Sequence, residues 1–282
     1  RMEHSVTITN FTDLTLDHSI RAVLLDLDNT CYAYEPCHQF ALESIKTVLE
    51  ERVGTVPDFE ERYAAAQKEV KSRIPTHGAS HSRILYFQNL LETLKNKDAI
   101  EFSLQLERTY WDSFLTVMEP TAGLREFLAQ CRKNGTTVAV VSDLTTSIQC
   151  EKLLKLGVAH LIDYLVTSEE AGAEKPDSAA FLLALKKVDA DALHTLYIGD
   201  SYEKDILGAQ ALGISAIQFV HDPFANQKTT RQSGSLQARH SHLAAFYIRL
   251  NCETLRSSFF CWCKFHYPVR TFCKVLCAKP LC

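Results

Sequence analysis

The residues of this chain able to do chemistry gather in a few short segments, the first being Asp26-Leu27-Asp28-Asn29-Thr30. An apolar run beginning at Arg21 ends there in two carboxylates one residue apart. Carboxylates this close repel, so a cation or a shared proton is needed to hold them together. Ser142, closing the run Thr137–Val141, offers a hydroxyl and a backbone N–H. Glu174-Lys175-Pro176-Asp177 supplies a lysine followed by a proline, and Gly199-Asp200 begins a segment reaching Asp205, a glycine for close approach with two acids five residues apart. Taken singly, each has an ordinary structural reading: a helix cap, a surface charge, acids at a helix start. Four such elements in this order, three at the ends of apolar runs, point instead to one site.

Something must bring those ends together. The segments 21–28, 137–141, 195–198 and 215–220 read as buried strands. Helical patterns lie between and after them, at 123–133, 145–156, 178–187 and 203–212. Strands alternating with helices of about 10–15 residues predict a parallel sheet covered on both faces, with ligands beyond the carboxyl ends of its strands. From about 35 to 118 the rhythm breaks. Helical patterns at 38–53, 58–72, 83–95 and 99–118, the second with Asp58 placed as a cap, carry no strand signal and predict an all-helical insertion.

The motif series resembles that of the haloacid dehalogenase-like hydrolases, mostly phosphatases, over about residues 20–222. The matching positions are Asp26-Leu-Asp28-Asn-Thr30, Ser142, Lys175, and Gly199-Asp200 with Asp205. The resemblance implies an α/β fold: a Rossmann-like parallel sheet in three layers (α/β/α) formed by 1–34 and 119–223, with a helical cap domain (C1 type) over 35–118. It also implies Mg²⁺ as cofactor, held by the carboxylates of Asp26 and Asp200 and the backbone carbonyl of Asp28. Asp26 would attack phosphorus to give an aspartyl-phosphate, and Asp28 would serve as general acid, then base. Thr30 and Ser142 would hold phosphate oxygens or orient the loop. Lys175 would offset charge on Asp26 and the transferring group, with Asp205 positioning Lys175 or a water on the metal.

An acid at position 28 favours phosphate chemistry, because an alkyl halide needs no proton on its leaving group. The expected partner is a small phosphorylated metabolite, a nucleoside monophosphate or a sugar phosphate. The start Asp26–Tyr32 looks most like the branch holding pyrimidine 5′-nucleotidases and sugar-phosphate phosphatases, although Cys31 replaces the more usual leucine. A phosphomutase, or a silent binding protein on the same scaffold, is the alternative. Substrate choice would fall to Tyr34 and Glu35 past the catalytic loop and to the segment Thr76–Arg83, where His77, His81 and Arg83 could grip a second phosphate, a carboxylate or a nucleobase edge.

Composition sets the outer limits. Of 282 residues 46% are hydrophobic and 23% charged, with a net charge of −4, which suits a globular protein and advertises no nucleic-acid partner. No apolar run of about 18 residues predicts a transmembrane helix, and the first residues do not read as a secretory signal. Residues 224–240 read as a polar linker. The whole segment 224–282 holds nine Lys/Arg against Glu253 alone, and six of the ten cysteines lie between Cys252 and Cys282. It is expected to be a poorly ordered extension outside the resemblance, with zinc binding and disulfides as the competing readings. The scattered Cys31, Cys37, Cys131 and Cys150 suit a reducing, cytoplasmic setting.

Overall fold

The computed structural model of the chain describes residues 6–12 and 14–221. The extension 224–282 lies outside the described residues. Two strands, β1 (Val6–Ile8) and β2 (Ala22–Leu25), precede a stretch of helices: α1 (Tyr34–Val53), α2 (Phe59–Arg73), a 3₁₀ turn (Gly78–His81), α3 (Arg83–Thr93) and α4 (Ala99–Thr116). Alternation then sets in with α5 (Leu124–Asn134), β3 (Thr137–Ser142), α6 (Thr146–Lys155), β4 (Tyr164–Thr167), α7 (Ser168–Ala171), α8 (Ser178–Val188) and β5 (Thr195–Gly199). A π-helical turn (Tyr202–Leu207), α9 (Gly208–Gln210) and β6 (Ser215–Phe219) complete it.

The six strands form one parallel sheet in the order β1-β6-β5-β2-β3-β4. Its central strands are apolar over most of their length because both faces are covered. Val23, Leu25, Val138, Val140, Leu196 and Ile198 face one core, whereas Ala22, Leu24, Ala139, Val141 and Tyr197 face the other, with Phe181 and Ala184 of α8. This is the expected three-layer, Rossmann-like plan. The first core runs on without a break into the helical insertion, through Phe59, Tyr63, Phe87, Tyr110 and Phe114. Each such aromatic, fully removed from water, contributes about 1.5–3 kcal/mol.

Register sets the position of the site. Leu25 pairs with Val140 on one side and Ile198 on the other, so the residues after β2, β3 and β5 leave the sheet at one edge. The Asp26 N–H still bonds Ile198 O at 2.9 Å. Beyond it the chain turns, with Thr30 and Cys31 N–H both directed to Leu27 O and Asn29 at φ 66°.

The differences from expectation are local. Two edge strands, β1 and β4, carry no clear sequence signal, being three and four residues long with polar or exposed members. Asp58 does stand before α2, but at φ 55° and without a side-chain capping bond. The single helix expected over 203–212 is a π turn followed by the three-residue α9. The N–H groups of Asp205 and Ile206 both converge on Ser201 O there, which widens the first turn. Gly199 fits that turn closely: a Cβ at this position would lie 2.5 Å from the Asp205 carboxyl carbon.

Candidate active site

Asp26, at the end of the central strand, is buried and grips two partners. Its Oδ1 accepts from Lys175 Nζ at 2.7 Å and its Oδ2 from the Thr30 hydroxyl at 2.9 Å. Lys175 is buried too, and its ammonium also reaches Asp205 Oδ1 (2.6 Å), Val141 O and the Tyr197 hydroxyl (both 3.1 Å). The second oxygen of Asp205 accepts the Ser201 N–H, so both its oxygens are occupied. Asp200 is held by Asn29 Nδ2 at 2.9 Å on one oxygen.

Ligand oxygens of Asp26, Asp200 and Asp205 lie within 4.8 Å of one another. Three carboxylates face one buried ammonium, a surplus of two negative charges. The surplus registers in proton affinity. Burial first, then the like charges of Asp205 and Asp200, raise Asp26 well above the ordinary carboxylate range despite Lys175. Burial and Asp205 raise Asp200 in the same direction, with Asn29 opposing. A hard divalent cation with oxygen ligands is the group that such a donor set fits. Asp205, saturated by Lys175, Tyr197 and Ser201, is the least available of the three.

Asp28 sits in a different field. Its Oδ1 accepts from Tyr32 OH (2.6 Å) and Lys152 Nζ (2.7 Å), and its Oδ2 lies 3.4 Å from Gln149 Nε2. Burial alone raises its proton affinity, but Lys152, Tyr32 and Gln149 together outweigh burial and hold it below the usual value. Lys152 has no exposed side-chain surface, and its ammonium lies 5.4–5.6 Å from the rings of Tyr32, Trp111 and Phe114. Ser142 receives the Gln149 amide at 2.6 Å and donates to Asp143 O. Asp143 in turn takes Lys175 N–H and Lys204 Nζ, at 3.0 and 2.9 Å.

A cleft of about 370 Å³ opens over this edge. The structure brings Asp26, Asp28, Ser142, Lys175, Asp200 and Asp205 to it from the sheet side, and Tyr34, His81 and Arg83 from the insertion. Thr30 lies beneath Asp26 and bonds to it without lining the cleft. His77 is exposed and accepts Ala79 N–H on its own ring, outside the cleft lining. Glu35 faces solvent and accepts from Gln39. His81 Nε2 lies 3.1 Å from Glu174, which also accepts from Ser80. Burial opposes ionisation of Glu174, but His81, Ser80 and Lys204 outweigh it and lower it to about 2.

Residues 20–213 match the family model described as haloacid dehalogenase-like hydrolase. The chain belongs to the haloacid dehalogenase-like hydrolases. It is 37% identical to a ribulose-1,5-bisphosphate 5-phosphatase of Halopiger xanaduensis, over 78% of this chain and 94% of that one. It is 30% identical to a glyceraldehyde 3-phosphate phosphatase of Methanopyrus kandleri, over 71% and 83%. Among solved structures, a 2-haloacid dehalogenase from Pseudomonas syringae superposes with a TM-score of 0.62 at 23% identity, over 77% of this chain and 91% of that one, a likeness of fold. With these relatives, this member of the family is a phosphoric monoester hydrolase.

Several members of this hydrolase site escape a motif reading: Lys152, Gln149, Asp143, Lys204 and Tyr197. A signal for two of them exists. Ile148, Gln149 and Lys152 form part of one buried stripe of α6, so two polar residues occupy the apolar face of an amphipathic helix. Replacing Lys152 by methionine keeps the aliphatic volume and removes the ammonium from Asp28. We expect kcat to fall about 10²-fold with a smaller change in KM, the cost of displacing the proton donor, the role that the sequence resemblance assigns to Asp28. Steady-state kinetics of Lys152→Met against wild type checks this, and an unchanged kcat would show that Asp28 needs no such anchor.

Proposed function

We propose that this chain is a magnesium-dependent phosphatase of small sugar phosphates that works through an aspartyl-phosphate on Asp26. The observation that carries the reading is the buried carboxylate of Asp26, held between Lys175 and Thr30 beside Asp200 and Asp205, in the lining of a cleft. The relatives from Halopiger xanaduensis and Methanopyrus kandleri favour sugar phosphates over nucleotides, since both are named for phosphorylated sugars.

Mg²⁺ would be held by the carboxylates of Asp26 and Asp200 and the backbone carbonyl of Asp28, and when bound it supplies charge neutralisation for an anionic nucleophile meeting an anionic phosphate. The rest is done by the chain. Thr30 and Lys175 fix Asp26 so that one carboxylate oxygen faces phosphorus. Its attack forms the Asp26 O–P bond and breaks the P–O bond to the sugar, whose oxygen takes a proton from the carboxyl of Asp28. Water then attacks phosphorus, loses a proton to Asp28 and releases phosphate, restoring Asp26. The lowered proton affinity of Asp28 suits its ionised, proton-accepting half of the cycle. For the donating half it must carry a proton, on Oδ2, while Lys152 and Tyr32 hold Oδ1 in place.

Residues 35–118 act as the cap in this reading, closing the cleft over a bound sugar. A cytoplasmic setting belongs to it as well: Cys31, Cys37, Cys131 and Cys150 are free thiols, and no helix among the described residues is long and apolar enough to cross a membrane. The test is inorganic phosphate release from a panel of sugar phosphates and nucleoside monophosphates, with Mg²⁺ or with EDTA. Release that needs Mg²⁺ and favours the sugar phosphates is expected. Phosphoester isomerisation in place of release would indicate a mutase, and equal release in EDTA would remove the metal from the account.

A further inference from the structure

The cations lining the cleft fall into two groups. Those on the sheet side are paired: Lys175 with Asp26 and Asp205, Lys204 with Asp143 at 2.9 Å and Glu174 at 3.6 Å. On the insertion side, Lys71, from the last turn of α2, and Arg83, at the start of α3, have no carboxylate within 4.0 Å among the described residues.

Arg83 is an expensive residue to leave unpaired. It is 4% exposed, yet among the described residues its charge is met by dipoles and rings and by no carboxylate. Nη1 donates to His81 O and Nη2 to the Tyr34 hydroxyl, both at 2.6 Å, and Nε has no hydrogen-bond partner. The rings of Tyr86, Tyr110 and Trp111 lie 5.1–5.3 Å from the guanidinium. Buried charges are ordinarily paired, so an uncompensated guanidinium beside a cleft implies that the partner arrives with the ligand. The Tyr34 hydroxyl accepts from Arg83, so its own proton remains to be given to something in the cleft it lines. Lys71 is half-buried, and burial first, then Arg83, lower its proton affinity, a strain that an anion between them would relieve.

We propose that the insertion side of the cleft binds a second anionic group of the substrate, a phosphate or a carboxylate, on Lys71, Tyr34 and Arg83, while the phosphate to be cleaved sits at Asp26. This rests on the phosphatase reading and narrows it to doubly anionic sugar phosphates. Arg83 acts from behind, through its charge and through Tyr34. Lys71, whose side chain is held by no ion pair among the described residues, makes the direct contact. His81 stays with Glu174.

The test compares kcat/KM for three substrates in Mg²⁺: a sugar bisphosphate, a phosphorylated sugar acid, and a polyol monophosphate with no second charge. Wild type should favour one or both doubly anionic compounds, and which one identifies the group. In Lys71→Met the preference ratio over the polyol monophosphate should fall about ten- to hundred-fold, mainly through KM, the range for a hydrogen bond to a charged group. Lys71→Arg should retain most of the preference. A ratio unchanged in Lys71→Met, or no wild-type preference for a second charge while all three are hydrolysed, overturns the second site and leaves the phosphatase intact. No phosphate release from any of the three by wild type overturns the phosphatase reading and this proposal with it.

Discussion

Asp26→Asn should abolish turnover, with phosphate release falling by on the order of 10⁴–10⁶, as when an attacking residue is removed from a covalent mechanism. The amide keeps the shape of the carboxylate, and its single oxygen can still accept from either Thr30 or Lys175, though not from both. What disappears is the charged oxygen that would bond phosphorus. Stability should move the other way. Burial, Asp205 and Asp200 raise the proton affinity of Asp26 in the folded protein. A carboxyl whose folded pKa lies above its unfolded value contributes stability while protonated, and that stability is lost as pH rises from the unfolded value through the folded one. In metal-free protein the neutral amide escapes that loss, so the variant should melt at the same temperature as wild type or higher. Thermal unfolding in EDTA, beside the phosphate assay, separates lost chemistry from lost fold. A large fall in melting temperature would mean that Asp26 is a structural partner of Lys175 first.

Lys175→Met should fail in both respects. The ammonium reaches two carboxylates, a carbonyl and a phenol in a site closed to water. Methionine fills the space and leaves Asp26 and Asp205 buried without their cation. Breaking a buried pair on one side costs about 3–5 kcal/mol. For a chain of this size that is a fall in melting temperature of roughly 6–20 °C. Catalysis should drop by about 10²–10³, the loss seen when one preorganised charge or donor is taken from a transition state. Excess Mg²⁺ should restore part of the stability, because it offsets the same surplus charge, but little of the rate. Melting curves with and without Mg²⁺, beside kcat, check this. A variant as stable as wild type without metal would mean that the carboxylates are protonated in the resting protein and need no cation.

The core of the fold was legible because its central strands are buried on both faces, and such strands read as continuous apolar runs. Where those runs ended in Asp26, Ser142 and Gly199-Asp200, the parallel register obliged the ends to meet at one edge. β1 and β4 escaped for the opposite reason: short edge strands carry too few buried residues for a pattern. The wide turn at 202–207 was hidden because Glu203 to Leu212 has ordinary helical spacing; it comes from two N–H groups sharing Ser201 O, with Asp205 packed against Gly199. Lys152, Lys71 and Lys204 were missed together. A lysine in a helix normally lies on a solvated face; Lys152 differs only in sharing the apolar face of α6, and nothing local names its partner carboxylate 124 residues away. His77 and His81 illustrate the converse. Their spacing with Arg83 suggested one grip, whereas the 3₁₀ turn directs His77 to its own backbone and His81 to Glu174.

The proposed mechanism turns on a bond between Asp26 and phosphorus, and that bond can be looked for. Enzyme would be quenched during turnover of a good substrate in Mg²⁺, reduced with borohydride, which converts an aspartyl-phosphate to homoserine, and digested for mass spectrometry. Homoserine at position 26, dependent on both substrate and Mg²⁺, is the predicted result. Reduction at another carboxylate, or an unmodified Asp26 in a sample caught releasing phosphate at full rate, would contradict it.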